Sequence, residues 1–392
     1  MMICFTYPGQ GSQKAGMGSA WVDHPSWELV AEASEAAGRD VAQLLLEADD
    51  DELRHTRNSQ LATFVVSMIS LDAVSRVGIE TAGHAGHSLG EYSALVAAGV
   101  VDFYDGVRLV SERGEAMQVA AEEQDGTMAA VMGLDDDLVE QACDQADGDV
   151  WVANYNAPGQ VVIAGAPAMV EAAGAIAKEL GAKRIMALPV GGAFHTPFMA
   201  SAKDRLQKAI GKTEFRVPDH PVYANVDAAA QTGAQAWAEL LNTQLTSPVR
   251  WRQSVHNMCD DGYTTFVELG PGAVLTGTVK RTAKDCKSLK VNTPADIDMV
   301  LEELAGPPVA AGGPLEGEAL FTTERLVVSP AAGVFQPTED NLLGTGVPAG
   351  QLLGHVGETE VRTPWAGMIM GFLAVEGERV TASQPIAWLR TS

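Results

Sequence analysis

The chain has 392 residues, 46% of them hydrophobic, enough for more than one packed domain. Its formal net charge of −25 counts against nucleic-acid binding through phosphate contacts, and no apolar run nears the roughly 20 residues that span a bilayer. Four cysteines (Cys4, Cys143, Cys259 and Cys286) lack C-x-x-C spacing, so zinc and redox motifs are not expected and reduced structural thiols are the reading.

Met1-Met2-Ile3-Cys4-Phe5 reads as a first strand. No basic segment precedes it and no cleavable apolar core follows, which predicts a cytoplasmic protein. Apolar spacing predicts helices over 61–77 and 105–121. The rhythm then changes. Residues 127–132 are strand-like, 137–146 helical, 150–154 and 160–164 a hairpin over Ala157-Pro158-Gly159, 167–180 helical, and 184–190 extended. The order βαββαβ predicts a ferredoxin-like subdomain, about 126–190, inserted into an α/β body that runs from 1 to 304. An insert of this kind leaves a cleft against its host, a common place for a ligand.

Residues 305–319 are rich in Pro, Gly and Ala and read as a linker. The tail, 320–392, contains a repeat. Val327-Val328-Ser329-Pro330-Ala331-Ala332-Gly333 parallels Val361-Arg362-Thr363-Pro364-Trp365-Ala366-Gly367, and Val347-Pro348-Ala349-Gly350-Gln351 parallels Val380-Thr381-Ala382-Ser383-Gln384. Two matching halves predict a small all-β barrel-sandwich with a pseudo-twofold. The pattern resembles a biotinyl/lipoyl carrier domain, in which a lysine on the hairpin between the halves takes the cofactor. Here that region is Gly354-His355-Val356-Gly357-Glu358-Thr359-Glu360, and the last lysine of the chain is Lys290. Neither biotin nor lipoate attachment is expected. Spacer, docking surface, oligomer contact and simple stabilising appendage all remain open for this domain.

The chemistry centres on Gly86-His87-Ser88-Leu89-Gly90. G-x-S-x-G turns a strand sharply into a helix and lifts the serine hydroxyl clear, and glycine is needed where a Cβ would clash. The segment before it, Ile79-Glu80-Thr81-Ala82-Gly83-His84-Ala85, is a poor core strand. Ser88 needs a base, because an unassisted hydroxyl is a weak nucleophile. His195, on the loop Gly191-Gly192-Ala193-Phe194-His195 after the insert, can re-enter the body, although on spacing alone a lone loop histidine is more often structural. The glycine-rich loop Pro8-Gly9-Gln10-Gly11-Ser12-Gln13 can hold an oxyanion on backbone N–H groups. It lacks the spacing of a dinucleotide or phosphate loop. Lys280, Arg281, Lys284, Lys287 and Lys290 form a basic stretch: a solvated face, or a landing site for an acidic partner.

With Arg113-Gly114, Asn154-Tyr155-Asn156-Ala157-Pro158-Gly159-Gln160, Ala193-Phe194-His195 and Glu268-Leu269-Gly270-Pro271-Gly272 added, residues 1 to about 290 resemble the malonyl-CoA:acyl carrier protein transacylases, a family that includes acyltransferase domains of polyketide synthases. The resemblance implies an α/β-hydrolase-like body and transfer of malonyl from coenzyme A to the phosphopantetheine thiol of acyl carrier protein, in fatty acid or polyketide synthesis. It implies Ser88 as nucleophile, His195 as base, the Gln10 and Leu89 amides as oxyanion hole, and a main-chain carbonyl orienting His195, taken as that of Arg250. It implies Arg113 as the grip on the malonyl carboxylate, with Phe194 in the malonyl-type triplet. Asn156 and Gln60 either line the cleft or serve hairpin and helix hydrogen bonding. Lys280, Arg281 and Lys284 are the candidates for carrier docking. No metal and no cofactor are expected. Two rival readings use the same residues: a hydrolase in which water replaces the carrier thiol, and a catalytically idle scaffold.

Overall fold

The computed structural model describes residues 2–305, 324–338 and 342–390. The chain forms two compact units that divide at residue 308. Apart from Ala305, the last residue of the helix Ala295–Ala305, the linker expected over 305–319 lies outside the described residues.

The first unit is built on a six-stranded sheet in the order Lys287–Val291, Thr265–Leu269, Ile3–Tyr7, Gly83–Gly86, Val222–Tyr223, Ala230–Gln231. All neighbours are parallel except the last pair. Ile3–Tyr7 is central, with all but its first residue buried, as a strand covered on both faces must be. Its register sets Tyr7 against Gly86. The loop after the first strand and the turn after Gly86 therefore leave the sheet side by side at its carboxyl edge, where ligands bind in open parallel sheets.

The strand before the G-x-S-x-G turn is shorter than expected, only Gly83–Gly86, yet fully buried. Its polar letters are accommodated individually. A Cβ on Gly83 would collide with the Tyr263 hydroxyl. His84 lies 3.1 Å from the Tyr7 hydroxyl through Nδ1 and stacks on that ring. Burial, with His220 adding to it, lowers the His84 pKa to about 3, so the strand buries a neutral imidazole and no charge.

The insert is an antiparallel four-stranded sheet in the order Val150–Ala157, Gln160–Gly165, Thr127–Met132, Arg184–Ala187, with helices Asp136–Gln145 and Pro167–Glu179. This is the predicted ferredoxin-like order. Its core of Val131, Val139, Val161, Ile163, Val170 and Ala173 is separate from that of the body. Backbone pairing, an ion pair and a cation–ring contact are among the ties that hold it to the body. Val249 pairs with its edge strand (Tyr155 N to Val249 O and Val249 N to Ala153 O, both 2.9 Å). Arg252 forks onto the Asp136 carboxylate, both mostly buried, and the Arg250 guanidinium lies 6.0 Å over the Tyr155 ring.

The second unit is all-β. One sheet runs Glu324–Val328, Pro385–Arg390, Gly367–Phe372, Gly346–Val347, and the other Thr359–Arg362, Leu352–Val356, Gly333–Pro337, Arg379–Val380. Equivalent strands of the two sequence repeats occupy opposite sheets, as a pseudo-twofold requires. Val327, Phe335, Leu353, Ile369, Ile386 and Leu389 form a core drawn from both. The hairpin between the repeats joins Leu352–Val356 to Thr359–Arg362 through Gly357-Glu358, with Gly357 at φ +59°.

Candidate active site

Ser88 sits between Gly83–Gly86 and the helix Gly90–Ala97 with φ 54°, a left-handed conformation uncommon for a residue with a side chain. The flanking glycines make this turn possible. A Cβ on Gly86 would fall on the Gly90 carbonyl, and one on Gly90 on the Tyr7 carbonyl. His87 N donates to Tyr7 O at 3.0 Å, tying the turn to the first strand. Strained non-glycine residues gather at functional sites because their surroundings must enforce them. His195 is a second one, at φ 62°.

The two meet. Ser88 Oγ is 2.8 Å from His195 Nε2. His195 Nδ1 lies 2.9 Å from the carbonyl of Gln244. A carbonyl only accepts, so Nδ1 carries the proton and the Nε2 lone pair faces the serine. Burial lowers the His195 pKa to about 3, and the neighbouring Arg113 charge adds to this, so the resting imidazole is neutral and free to take a proton.

The orienting carbonyl is thus that of Gln244, not Arg250. Arg250 caps the helix Trp251–Asp260, and its carbonyl accepts from Ser254 N at 3.0 Å and Ser254 Oγ at 3.3 Å. The first helical hydrogen bond occupies the group that was expected to face the histidine.

Arg113, on the helix Phe103–Glu123, is completely buried. It donates through Nη1 to Gln60 Oε1 at 2.7 Å and through Nη2 to Gln244 Oε1 at 2.9 Å and Ser88 Oγ at 3.2 Å. Its guanidinium lies 5.2 Å over the Tyr92 ring. Among the described residues it forms no ion pair, and its Nε has no partner. A buried cation without a carboxylate is costly, and this one is held beside a nucleophile.

Gln60 is fully buried on Thr56–Arg76 and supports Arg113 from below; its own Nε2 rests on the Met117 sulfur at 3.3 Å. Phe194 is buried beside His195. Asn156 Oδ1 accepts from His87 Nε2 at 2.8 Å, which bridges the inserted hairpin to the serine turn. An amide oxygen accepts, so His87 Nε2 is the donor here. The backbone N–H groups of Gln10 and Leu89 donate to no described group, as an oxyanion site requires.

Three functional neighbours escaped sequence reasoning: Gln244, Asn225 and Glu91. Asn225 Oδ1 accepts from Ser88 N at 2.7 Å, and Asn225 Nδ2 donates to Gly86 O at 2.6 Å. Glu91, three positions after the serine and just beyond the G-x-S-x-G motif, is fully buried. Nothing local marks Gln244 or Asn225.

Lys280, Arg281 and Lys284 are exposed, on or just after the helix Val274–Thr282. Arg281 also reaches the side-chain carbonyl of Gln160 on the inserted hairpin, and Lys287 pairs with Glu303 at 2.8 Å. Among the described residues, no group of three or more His, Cys, Asp or Glu is placed to hold a metal, and no helix is long and apolar enough to cross a membrane.

A hydrogen-bonded Ser–His pair with a buried arginine on the same hydroxyl defines a nucleophilic acyl-transfer site. A family model for acyl transferase domains matches residues 4–297, and the chain belongs to this family. It is similar to malonyl CoA-acyl carrier protein transacylases: that of Bacillus subtilis (strain 168) is 40% identical over 307 residues, covering 77% of this chain and 97% of the relative. That of Escherichia coli (strain K12) is 43% identical over 309 residues, covering 76% and 99%. Among solved structures, an acyl carrier protein S-malonyltransferase from Vibrio cholerae has a TM-score of 0.74 at 41% identity, covering 76% of this chain and all of that one. A malonyl-transacylase solved in complex with a type II PKS acyl-carrier protein has a TM-score of 0.75 at 39% identity, covering 77% and 100%.

Proposed function

We propose the following roles in the malonyl transfer that this chain catalyses. The enzyme is an acyl-carrier-protein S-malonyltransferase, with malonyl-CoA and acyl carrier protein as substrates. Ser88 Oγ attacks the thioester carbonyl while His195 Nε2 takes its proton. The oxyanion develops against the Gln10 and Leu89 amides. Collapse breaks the C–S bond, and CoA leaves as the thiol after taking the proton from His195, which is neutral again. The phosphopantetheine thiol of the carrier then gives its proton to His195 and attacks malonyl-Ser88, and the ester oxygen recovers a proton as it departs. The product serves fatty acid or polyketide synthesis. The observation that carries this reading is the 2.8 Å contact between Ser88 and a neutral, carbonyl-oriented His195, with the Arg113 guanidinium on the same hydroxyl.

The Arg113 guanidinium receives the malonyl carboxylate. Two parallel charge-assisted hydrogen bonds suit a carboxylate and offer an acetyl group nothing. Phe194 closes the wall beside the base, and Gln60 fixes the guanidinium plane.

The C-terminal unit reads as a biotinyl/lipoyl-like domain without its acceptor lysine. Its swapped repeat topology supports the likeness, and the Gly357-Glu358 turn has no amine to modify. One measurement tests both units. After brief mixing with malonyl-CoA without carrier, the intact mass should equal the sequence mass plus one malonyl, mapped to the peptide holding Ser88. A malonyl group elsewhere, or none, overturns the mechanism; a biotinyl or lipoyl increment overturns the reading of the tail.

Lys280, Arg281 and Lys284 form the docking face for an acidic carrier protein, with Arg281 already partly engaged by Gln160. The double variant K280E/K284E should raise the KM for carrier by roughly tenfold at low salt and less at high salt. Malonylation of the enzyme from malonyl-CoA should proceed unchanged. An unaltered carrier KM at low salt places docking elsewhere.

A further inference from the structure

Below the Ser–His pair lies a second buried charge that the transfer steps do not use. Glu91 is fully buried in the first turn of Gly90–Ala97. Its Oε1 accepts from Asn225 N at 2.7 Å, and its Oε2 accepts from Gln244 Nε2. Gln244 Nε2 also donates to Ser88 O at 3.0 Å, while Gln244 Oε1 accepts from Arg113 Nη2 at 2.9 Å.

We propose that Glu91 is a positioning residue for Arg113: it supplies the guanidinium's counter-charge in the empty site, relayed through the Gln244 side-chain amide, and it locks that amide so that Arg113 stays poised for a substrate carboxylate. The inference rests on the reading of Arg113 as the malonyl grip.

The chemistry of each group dictates the orientation. An ionised carboxylate only accepts hydrogen bonds, so the Gln244 NH₂ must face Glu91. Its carbonyl oxygen must then face Arg113. The flipped amide would set donors against the guanidinium and an acceptor against the carboxylate. Glu91 thus decides which end of Gln244 the arginine meets, although it does not touch the arginine in an ion pair. This indirectness matters. A carboxylate bonded directly to Arg113 would compete with malonyl for the same N–H groups. Placed one amide away, it offsets the charge and leaves Nε without a partner and Nη2 on a neutral oxygen that a stronger acceptor can displace.

On its other oxygen Glu91 only accepts one backbone N–H, a bond that a glutamine carbonyl can also make. Asn225, held by Glu91 at its backbone N–H, accepts from Ser88 N and donates to Gly86 O. Burial raises the Glu91 pKa to about 7, with Asn225, Gln244 and Arg113 pulling it down and Asp227 pushing the same way as burial.

The test is Glu91→Gln, which keeps shape but removes the obligatory acceptor. The malonyl-CoA kcat/KM should fall by roughly tenfold, chiefly through KM, while the slow acetyl-CoA reaction changes by less than about threefold. Equal losses on both substrates, or no loss, overturn the proposal, because a merely structural residue would not separate them. Gln244→Met removes the relay and should shrink the same malonyl-to-acetyl ratio; E91Q/Q244M should lose no more of that ratio than Q244M alone. Additive losses in the ratio mean that Glu91 does not act through Gln244. Should E91Q fail to fold, Q244M with an unchanged ratio overturns the proposal by itself. Arg113→Ala separates the layers: if it leaves the ratio unchanged, the grip reading fails, whereas if it collapses the ratio and E91Q does not, only the role of Glu91 fails.

Discussion

Ser88→Ala is expected to abolish the malonyl-enzyme adduct and to reduce carrier malonylation by roughly 10⁴-fold or more, since removing the nucleophile of a covalent mechanism forfeits the whole two-step route. Binding should survive. Arg113 and Gln60 are untouched by the change, so the variant should still retain malonyl-CoA with a Kd within about tenfold of the native value. The substitution removes the partner of His195 Nε2 and one acceptor of Arg113, but Ala keeps the backbone at the turn, and Gly86 and Gly90 still admit it. Rapid-quench kinetics and intact-mass measurement decide the matter. Near-native turnover in the variant would mean that another group, or direct attack by the carrier thiol, performs the transfer. Loss of binding together with turnover would instead report a collapsed cleft.

The residues that were legible in the sequence are those whose role is written in a few consecutive positions. G-x-S-x-G imposes its turn by local sterics, so Ser88 and its glycines could be read directly. The subdomain was legible because its alternating and helical periods change within short segments, and its hairpin turn carries Pro158-Gly159. The N-terminal part of the helix Thr56–Arg76 was not: its first turns hold Thr56, Asn58, Ser59 and Gln60, polar yet buried. Apolar spacing sees the helix only from Leu61 onward, because the earlier buried positions meet polar partners: Gln60 the Arg113 guanidinium, Asn58 the Arg39 side chain and the Glu52 carbonyl, and Thr56 the Gln118 side chain. The strand before Ser88 misled for a related reason: Gly83 and His84 look like loop residues until Tyr263 and Tyr7 are seen to fill the space and satisfy the imidazole.

The misplaced orienting carbonyl has a tertiary cause. Gln244 and Arg250 lie six positions apart near the same turn, and either backbone oxygen could have met His195. Which one does depends on where the helix Trp251–Asp260 begins and on Val249 being claimed by the inserted hairpin. Neither is written at Gln244. Its side chain is harder still to foresee, since its partners Ser88, Glu91 and Arg113 lie 131 to 156 positions away.

Arg113→Ala carries the second large effect, and its sign distinguishes specificity from general damage. In the native site the guanidinium is buried and forms no ion pair among the described residues. Burial lowers its pKa, the mark of a charge kept in an unfavourable place. Breaking a buried charge pair costs about 3–5 kcal/mol, so the malonyl-CoA kcat/KM should fall by roughly 10²–10⁴-fold. Acetyl-CoA cannot pair with the arginine, so its kcat/KM should hold or rise as the unpaired charge disappears. The alanine also removes a positive neighbour that helps depress His195, so the base should become somewhat stronger in the variant, another reason for the acetyl reaction to hold. Competition between the two thioesters at equal concentration reads the result directly, as the ratio of malonyl- to acetyl-carrier formed. Parallel loss on both substrates would mean that Arg113 holds the fold or the serine, and the selection of malonyl would have to be sought in other residues of the cleft.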